Sequence, residues 1–269
     1  MLIETLSTFP HMYDSVMGES MMKRAQEKGI LEFRAHDLRD WTHDRHRTTD
    51  DDPYGGGAGL VMKCDPIFEA VEAILGKEFV EAKLASAMGE SQQHRPQIVF
   101  LAPQGRPFDD AYADKLAAAD HLLFICGHYE GIDERVYTLA DHVISLGDYV
   151  LTSGELASMV VIDAAVRKLP GVLGAAEGPV DESFTSGLLE YPQYTRPADF
   201  RGMRVPEVLT SGNHAAIARW RREQSLARTA AARPDLIAAA EAAGRLTPAD
   251  QKFLKLLEPA PTGAAEGVS

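Results

Sequence analysis

Cysteine is scarce in this chain of 269 residues, which contains only Cys64 and Cys126. Two cysteines exclude a disulfide-stapled scaffold and a cysteine-rich zinc domain. Cys126 lies in the apolar run LLFIC, so we expect it to be a buried thiol. With 45% apolar and 25% charged residues, the composition is typical of a globular protein whose core needs no cross-links.

Long hydrophobic runs and a targeting segment are also absent from the sequence. The N-terminal MLIETLSTFP has no basic stretch, and it reaches Glu4 and Pro10 too early for a signal peptide. The apolar stretches are much shorter than a membrane span. We therefore expect a soluble protein of the reducing cytoplasm, with no membrane partner.

Positive charge is in deficit, because 27 Lys and Arg face 40 Asp and Glu and the net charge is −13. This balance disfavours a non-specific nucleic-acid coat protein, which needs positive charge to displace counterions from phosphates. Residues 201–233 nevertheless contain seven arginines and only two acids, Glu207 and Glu223. From charge alone, this segment is either a solvated helix face or a nucleic-acid contact.

Strand and helix signals alternate in the first part of the chain. Apolar runs of strand length, among them QIVFLAP, HLLFICG and HVISLGDYVL, alternate with segments of helical periodicity. Asp65 and Pro66 are expected to start one helix, and Gly76 to end it. Residues 154–169 are apolar nearly all round, which predicts burial on most sides. The pattern predicts an α/β fold with a parallel sheet and helices on both faces.

The pattern changes after Gly171, which indicates further domains. The stretch that follows is rich in glycine, and no convincing strand occurs after about Glu190. Asn213 is expected to cap a helix with Ile217, Trp220, Ala227 and Ala230 on one face. We predict an α/β domain over residues 1–173, a linker or lid over 174–189, a small all-α domain over 190–258 and a disordered tail over 259–269.

The glycine-rich PYGGGAG, residues 53–59, matches no nucleotide-binding motif. A dinucleotide fingerprint needs G-x-G-x-x-G between a strand and a helix, and a P-loop needs a terminal Gly-Lys-Ser or Gly-Lys-Thr. NAD and ATP are therefore disfavoured, and the stretch is either a flexible turn or a loop that approaches a flat ligand. The preceding HDRHR, residues 43–47, suits an anion better than a metal, because its fixed cations would repel a metal ion.

Two turns that follow predicted strands are dense in glycine, acids and tyrosine. They are CGHYEGIDER, residues 126–135, and SLGDYVLTSGE, residues 145–155. Open α/β sheets bind their ligands outside the carboxyl ends of the strands, and glycine permits close backbone approach. Ordinary βα turns are the alternative, but the composition favours a small-molecule site.

Together with LPGVLG, GLLEYPQYTRP, SGNHAAIARWR and THDRHRTTDDDPYGGGAG, these two turns resemble blocks of the bacterial tRNA (guanine-N1)-methyltransferases, the TrmD family of SPOUT methyltransferases. The blocks occur in order from near Met1 to about residue 256. The resemblance implies a parallel sheet that ends in a trefoil knot, which periodicity would never suggest because knots are nearly absent from proteins. It also implies a homodimer with the active site between subunits, S-adenosylmethionine as methyl donor and tRNA as substrate.

The resemblance places the S-adenosylmethionine pocket on three turns, mainly through backbone contacts to adenine. The chain has Ala102 where relatives often have Ser, and Ser153 where they often have Gly. The residues expected to bind S-adenosylmethionine are Leu101, Ala102, Pro103, Gly127, Tyr129, Glu130, Ser145, Leu146, Gly147, Asp148, Tyr149, Val150, Leu151 and Gly154.

The implied reaction is methylation of N1 of the guanine 3′-adjacent to the anticodon, position 37. A carboxylate would take the N1 proton as general base, and Arg167 would stabilise the charge that grows on O6. Relatives typically read Asp-Ser-Phe in the linker, whereas this chain reads DESF over residues 181–184. Alignment through Ser-Phe favours Glu182 as the base, with Asp181 as the alternative.

The resemblance also bears on RNA contacts and on metal. We expect the helix after Asn213 to contact tRNA through Arg219, Arg221, Arg222 and His214. The resemblance also suggests magnesium as a second cofactor. The sequence shows no set of metal ligands, and Glu130 is the only candidate ligand. The competing hypothesis is a non-catalytic RNA-binding or ribosome-assembly factor on the same scaffold, against which the cofactor turns and Arg167 argue.

Overall fold

The structure is a computed structural model that describes residues 1–85, 95–173 and 182–257. The chain divides into two compact units, Met1–Gly178 and Pro179–Ser269. The strands are β1 (Leu2–Ser7), β2 (Glu32–Asp37), β3 (Asp50–Asp51), β4 (Val61–Met62), β5 (Gln97–Pro107), β6 (His121–Ile125), β7 (His142–Ser145), β8 (Asp199–Phe200) and β9 (Met203–Arg204). The α-helices are α1 (Asp14–Met17), α2 (Ser20–Glu27), α3 (Cys64–Leu75), α4 (Lys77–Ala85), α5 (Asp110–Ala117), α6 (Gly154–Val166), α7 (Glu207–Thr210), α8 (His214–Ala232), α9 (Pro234–Ala242) and α10 (Pro248–Leu257).

The first unit is built on a parallel sheet with the strand order β2-β1-β6-β5-β7. Side chains of β6 alternate between its two faces. Leu122 and Phe124 pack into one core with α2, α5 and α6, whereas Leu123 and Ile125 pack into a second core with α3 and α4. The expected α/β fold with a parallel sheet flanked by helices is confirmed.

A bulge interrupts β5 where it pairs with β7. Leu101 and Arg106 both lie opposite Ile144, so residues 102–105 leave the ladder. A Cβ atom at Gly105 would lie 2.5, 2.6 and 2.7 Å from backbone atoms of Ile144 and Val143. Only glycine therefore lets the chain rejoin the sheet here, and the bulge frees Ala102 and Pro103 to line a pocket beside the strand ends.

Two element boundaries differ from the sequence prediction. α3 begins at Cys64 rather than at Asp65, and no side chain caps its first turn, but Gly76 ends it with a φ of +96° as expected. β7 ends at Ser145, so the remainder of HVISLGDYVL is a loop. Gly147, with a φ of +147°, has a backbone conformation that does not continue a strand.

Residues 154–169 are buried on most sides, as predicted, and the exposed residues of α6 form one strip of Leu156, Val160 and Asp163. α6 buries Val161 and Ile162 in the core, but Leu156 and Val160 are 44% and 55% exposed. Hydrophobic pattern alone cannot tell a core face from an apolar face left on the surface. Within the described residues, no helix is long and apolar enough to cross a membrane.

The second unit consists mainly of helices around a small core of Leu188, Leu226 and Ala240. Asn213 caps α8 as predicted, because its Oδ1 accepts a hydrogen bond of 3.1 Å from the Ala216 N–H. The strands β8 and β9 form a short antiparallel hairpin, which corrects the expectation of no strand after residue 190.

The face of α8 that packs inward also differs from the expected one. Ser225, Leu226 and Thr229 are the buried residues of α8. The predicted face, Ile217, Trp220, Ala227 and Ala230, is only half-buried. Hydroxyl groups replace apolar side chains on the inner face because they bond to backbone: Ser225 Oγ donates to the Leu189 carbonyl at 2.5 Å.

Candidate active site

A pocket lies at the carboxyl ends of β5, β6 and β7 in the first unit. The bulge of β5, the turn after β6 and the loop between β7 and α6 line it. Every residue expected to bind S-adenosylmethionine is part of this lining except Asp148, which is exposed outside it. The lining residues are Leu101, Ala102, Pro103, Gly127, His128, Tyr129, Glu130, Gly131, Ile132, Tyr137, Ile144, Ser145, Leu146, Gly147, Tyr149, Val150, Leu151, Thr152, Ser153, Gly154 and Ala157.

Glycines bring backbone segments of the pocket wall into direct contact. Gly154 begins α6, and its N–H donates to the Gly127 carbonyl at 2.8 Å. A Cβ at Gly154 would lie 2.6 Å from the Gly127 nitrogen, and one at Gly147 would lie 2.9 Å from the ring of Tyr149. The wall is therefore a backbone cradle that side chains at these positions would force apart.

Gly147→Val is expected to lower S-adenosylmethionine affinity by about 5- to 150-fold, the equivalent of the 1–3 kcal/mol that a strained backbone costs. The valine cannot adopt the φ of +147° without strain, so the turn relaxes and binding must restore the strained form. Calorimetric titration measures the affinity. Gly29→Val is the matched control, because Gly29 has a φ of +68° with no atom within 4 Å of its Cβ position. Equal affinity of both variants would place the ligand elsewhere.

The charge in the pocket is negative. Within the described residues, the pocket lining contains one carboxylate, that of Glu130, and one histidine, His128, but neither lysine nor arginine. A Cβ at Gly59 would fall 2.4 Å from the Glu130 Oε1, so the glycine-rich loop reaches the rim of the pocket. This field favours a ligand that carries positive charge and disfavours a phosphate.

Tyr129 ties the pocket wall to the segment that precedes the glycine-rich loop. Its φ of +58° is uncommon for a residue with a side chain. Burial, the negative charge of Asp50 and a hydrogen bond to Asp50 raise the pKa of Tyr129. The Glu130 N–H also donates to the Leu60 carbonyl at 3.0 Å. Sequence reasoning missed Asp50, since nothing in the sequence pairs it with a turn far along the chain.

A buried polar cluster supports the pocket from behind. Glu155 is fully buried in α6, accepts a hydrogen bond from the Ser7 hydroxyl, and lies 2.6 Å from His128 Nε2. These contacts hold the imidazole in the wall. Burial raises the pKa of Cys126 to about 12, so this thiol is neutral and buried, as predicted. Glu155 was not predicted, because its apolar surroundings indicated only a core helix.

The catalytic candidates belong to different units. Arg167 is the C-terminal cap of α6, the helix whose first residue lines the pocket. Its neighbour Lys168 is buried between Asp110, at 2.5 Å, and Asp114, at 3.4 Å. Glu182 is half-buried in the second unit. Asp181 lies outside the described residues.

Arg222, one of the four residues expected to contact RNA, forms a bidentate ion pair inside the second unit. Its Nε and Nη2 donate to the Asp250 carboxylate at 3.0 and 2.8 Å. Hydrogen bonds from Arg222 lower the pKa of Asp250, whose side chain is 6% exposed. This pair joins α8 to α10, so Arg222 stabilises the unit whatever else it contacts.

The other three residues expected to contact RNA are exposed on α8. Arg219 pairs with Glu223 one turn later at 2.8 Å, although its side chain stays 81% exposed. Arg221 is exposed in the same stretch, and His214 is the first residue of the helix. Ion pairs of this exposed kind are worth little in water, so Arg219 can exchange its partner for a phosphate at small cost.

Metal ligation receives no support from the described residues. None of them form a group of three or more His, Cys, Asp or Glu that could hold an ion. In HDRHR, His43 lies 2.7 Å from the Glu69 carboxylate and Arg47 pairs with Asp40. Glu130 stands without a second carboxylate in the pocket lining. The described residues do not fit a magnesium site.

Comparison with known proteins identifies the family. The family described as tRNA (Guanine-1)-methyltransferase TrmD matches residues 1–239. A tRNA (guanine-N(1)-)-methyltransferase of Limosilactobacillus reuteri is 52% identical over 241 residues, which cover 90% of this chain and 91% of that protein. Those of Symbiobacterium thermophilum and Geotalea uraniireducens are 51% and 50% identical, over 95% and 96% of this chain and 97% of each relative. The chain belongs to the TrmD family of tRNA (guanine-1)-methyltransferases.

Proposed function

We propose that this enzyme transfers a methyl group from S-adenosylmethionine to N1 of the guanine 3′-adjacent to the anticodon of tRNA, position 37. The observation that carries the proposal is the pocket at the ends of β5, β6 and β7, which gathers the expected S-adenosylmethionine residues of three separate turns. The names of relatives about 50% identical over nearly the whole chain support the substrate. A non-catalytic RNA-binding factor would have no use for this pocket.

The pocket suits S-adenosylmethionine in shape and in charge. Gly147 and Gly154 keep its turns closely packed, because a Cβ would clash with Tyr149 at Gly147 and with the backbone of Cys126 and Gly127 at Gly154; backbone is thus left to meet flat adenine. The negative field of Glu130 complements the sulfonium and the lack of lysine and arginine in the described lining disfavours phosphorylated ligands. S-adenosylmethionine supplies an activated methyl group, so the protein's task is to position it and to prepare the acceptor.

The acceptor needs a base and a cation. Guanine N1 carries a proton at neutral pH, and Glu182 takes this proton as the N1–CH₃ bond forms and the S–CH₃ bond breaks. Negative charge grows on O6 during the transfer, and Arg167 stabilises it. The products are 1-methylguanine in the tRNA, S-adenosylhomocysteine and the proton held by the carboxylate. Asp181 would serve as base only if the linker were shifted by one residue.

The two units divide this work. We assign S-adenosylmethionine binding to residues 1–173 and tRNA binding to residues 190–258; the predicted linker or lid over 174–189 lies partly, and the predicted tail over 259–269 wholly, outside the described residues. A trefoil knot in the first unit is part of the proposal. It is supported by membership of the TrmD family. Its tRNA substrate places the enzyme in the cytoplasm.

The proposed active unit is a homodimer. An exposed apolar face in the first unit supports this proposal; it consists of Phe9, Met12, Val16, Leu156 and Val160. The turn Pro10–Tyr13 packs on α6, where the Tyr13 hydroxyl lies 2.6 Å from Ser158 Oγ, so these exposed side chains belong to neighbouring elements. Ala157, adjacent to Leu156, lines the pocket. A partner on this face would therefore stand next to the pocket, and apolar patches of this kind mark protein interfaces.

Val160→Asp is expected to convert the dimer into monomers, because it places a charge in the centre of an apolar interface. Sedimentation velocity should show the mass of one chain instead of two, and methyl transfer should be lost with it. The matched control is Leu84→Asp, since Leu84 is similarly exposed but lies on α4. A Val160→Asp protein that stayed dimeric, or a wild type that was monomeric, would remove this face from the proposal.

The activity itself is tested with labelled S-adenosylmethionine and an unmodified tRNA transcript that carries guanine at position 37. We expect label in the RNA, and mapping of the modified base should identify 1-methylguanine at that position. A transcript with adenine at position 37 serves as control and should accept no label. Binding of both RNAs without methyl transfer to either would favour the non-catalytic factor.

A further inference from the structure

The second unit contains a cavity that the proposed chemistry does not use. It measures about 240 Å³ and lies between α8 and the segment 186–191. This is below the roughly 300–1,000 Å³ of pockets that hold drug-sized ligands, so its size suits one flat ring system. The lining residues are Ser186, Leu189, Glu190, Tyr191, Ala218, Arg221, Arg222 and Ser225.

Hydrogen bonds hold the two walls of this cavity in place. Thr229 Oγ1 accepts from the Leu189 N–H at 2.9 Å, and Ser225 Oγ donates to the Leu189 carbonyl at 2.5 Å. Arg228 donates to the Glu190 carbonyl at 3.2 Å. The bidentate ion pair with Asp250 holds Arg222 in the cavity lining. The cavity is thus formed before any ligand arrives, which lowers the entropy that binding must lose.

Planar side chains lie in the lining of this cavity and beside it. The Arg221 guanidinium lies 4.8 Å from the centre of the Tyr191 ring. Beside it, the rings of Tyr194 and Trp220 lie 6.3 Å apart. Both pairs join the segment 191–194 to the same turn of α8. Aromatic rings and arginine planes are the surfaces on which proteins stack unpaired nucleobases.

Charge orients what can enter. Among the charged lining residues, Arg222 is paired with Asp250, Glu190 repels a phosphate and the exposed Arg221 attracts one. A nucleotide would therefore place its uncharged base inside and its phosphate outside. A base paired in a helix cannot take this position, because its ring is covered by its neighbours in the stack.

We infer that this cavity, which we call the Tyr191 cavity, binds an unpaired base of the tRNA anticodon loop by stacking on Tyr191 and Arg221. The inference rests on the proposed function for the identity of the RNA. It assigns the second unit a contact with the loop that carries the target guanine, in addition to charge contacts with phosphates. The arginines of α8 then have separate roles: Arg222 builds the cavity, Arg221 stacks and Arg219 meets phosphate.

Tyr191→Leu should weaken binding of an anticodon stem–loop RNA by about 5- to 150-fold, which corresponds to the 1–3 kcal/mol measured per stacked base. Tyr191→Phe keeps the ring and should bind like wild type. Binding is measured with the full chain by fluorescence anisotropy, without methyl donor. A duplex RNA of the same stem, without the loop, should bind both variants equally. If Tyr191→Leu weakened binding of the stem–loop and of the duplex equally, the inference would be overturned.

A set of stem–loops with one abasic loop nucleotide each identifies the stacked base. At one loop position, the abasic substitution should lower the binding affinity by the same factor as Tyr191→Leu. The abasic RNA and the variant protein together should lower the affinity no more than either change alone. Additive losses at every loop position would overturn the inference. Arg221→Gln should weaken this energetic coupling between Tyr191 and the stacked base. Arg233→Gln removes an equal charge from an exposed pair with Asp235 and should leave the coupling intact.

The outcome is separable from that of the proposed function. Loop binding that depends on Tyr191, in a protein that methylates no guanine, would support the cavity and contradict the enzymatic proposal. Normal methyl transfer by Tyr191→Leu, with an unchanged KM for tRNA, would support the enzyme and overturn the cavity. If both hold, Tyr191→Leu raises the KM for tRNA and leaves kcat near the wild-type value.

Discussion

Glu182→Gln is expected to slow single-turnover methyl transfer by about two to four powers of ten, the usual contribution of a general base. Glutamine keeps the size and most of the hydrogen bonding of glutamate but cannot accept the guanine N1 proton. Affinities for tRNA and S-adenosylmethionine should change little, because the loss lies in the transition state. Rapid quench measures the rate, and equilibrium binding of each substrate is the control.

The local structure supports Glu182 over its neighbour. The Ser-Phe pair that aligns this chain with its relatives sits in a closed turn, where the Phe184 N–H donates to the Leu188 carbonyl and the Gly187 N–H donates back to Phe184, both at 2.8 Å. Ser183 Oγ accepts from the Glu190 N–H at 2.9 Å. Glu182 directly precedes this fixed turn, so a one-residue shift would have to break it.

Two further variants test whether Glu182 or Asp181 is the general base. Asp181→Asn should slow the reaction far less than Glu182→Gln, and the reverse ranking would reassign the base to Asp181. Glu182→Asp moves the carboxylate back by one methylene, to which reaction geometry is sensitive. It should therefore retain activity if the linker suits the family's aspartate, and lose rate if the linker has adjusted to glutamate. Near-normal rates for the single and double amide variants would remove both carboxylates from the mechanism.

The turns of the pocket were predictable from sequence because they are local. CGHYEGIDER and SLGDYVLTSGE each follow an apolar strand, and the parallel sheet brings their ends to one edge. The bulge at Gly105 was not predictable, because its need for glycine arises from the register of β5 against β7, nearly forty residues later. Asp50 was missed for the same reason: its partner Tyr129 is distant in the chain.

The periodicity of a helix did not show what each of its faces contacts in the structure. Leu156 and Val160 continue the apolar pattern of α6, yet they lie on the surface of the single chain. Arg222 stands among arginines that suggest RNA, yet its guanidinium is bound to Asp250 in α10, two helices further along the chain. Such pairings depend on how helices pack, which spacing within one helix does not record.

Arg167→Gln is the second variant with a large expected effect, a fall of about 10²- to 10³-fold in methyl transfer, as for removal of one donor to a developing oxyanion. Arg167 is the C-terminal cap residue of α6, where a positive charge adds about 0.3–1 kcal/mol of stability through the helix dipole. The expected loss lies in the transition state, so the rate should fall by far more than the stability of the fold. Single-turnover rates and thermal unfolding of the same preparation measure the two effects.

Lys168→Gln is the matched control, because it removes an equal charge one residue further along. Lys168 is buried between Asp110 and Asp114, so its loss leaves carboxylates without their cation and should lower the melting temperature while the rate persists. The two variants thus exchange effects: Arg167→Gln loses rate and Lys168→Gln loses stability. If Arg167→Gln lost stability and kept its rate, Arg167 would be only a helix cap, and the charge on O6 would need another partner.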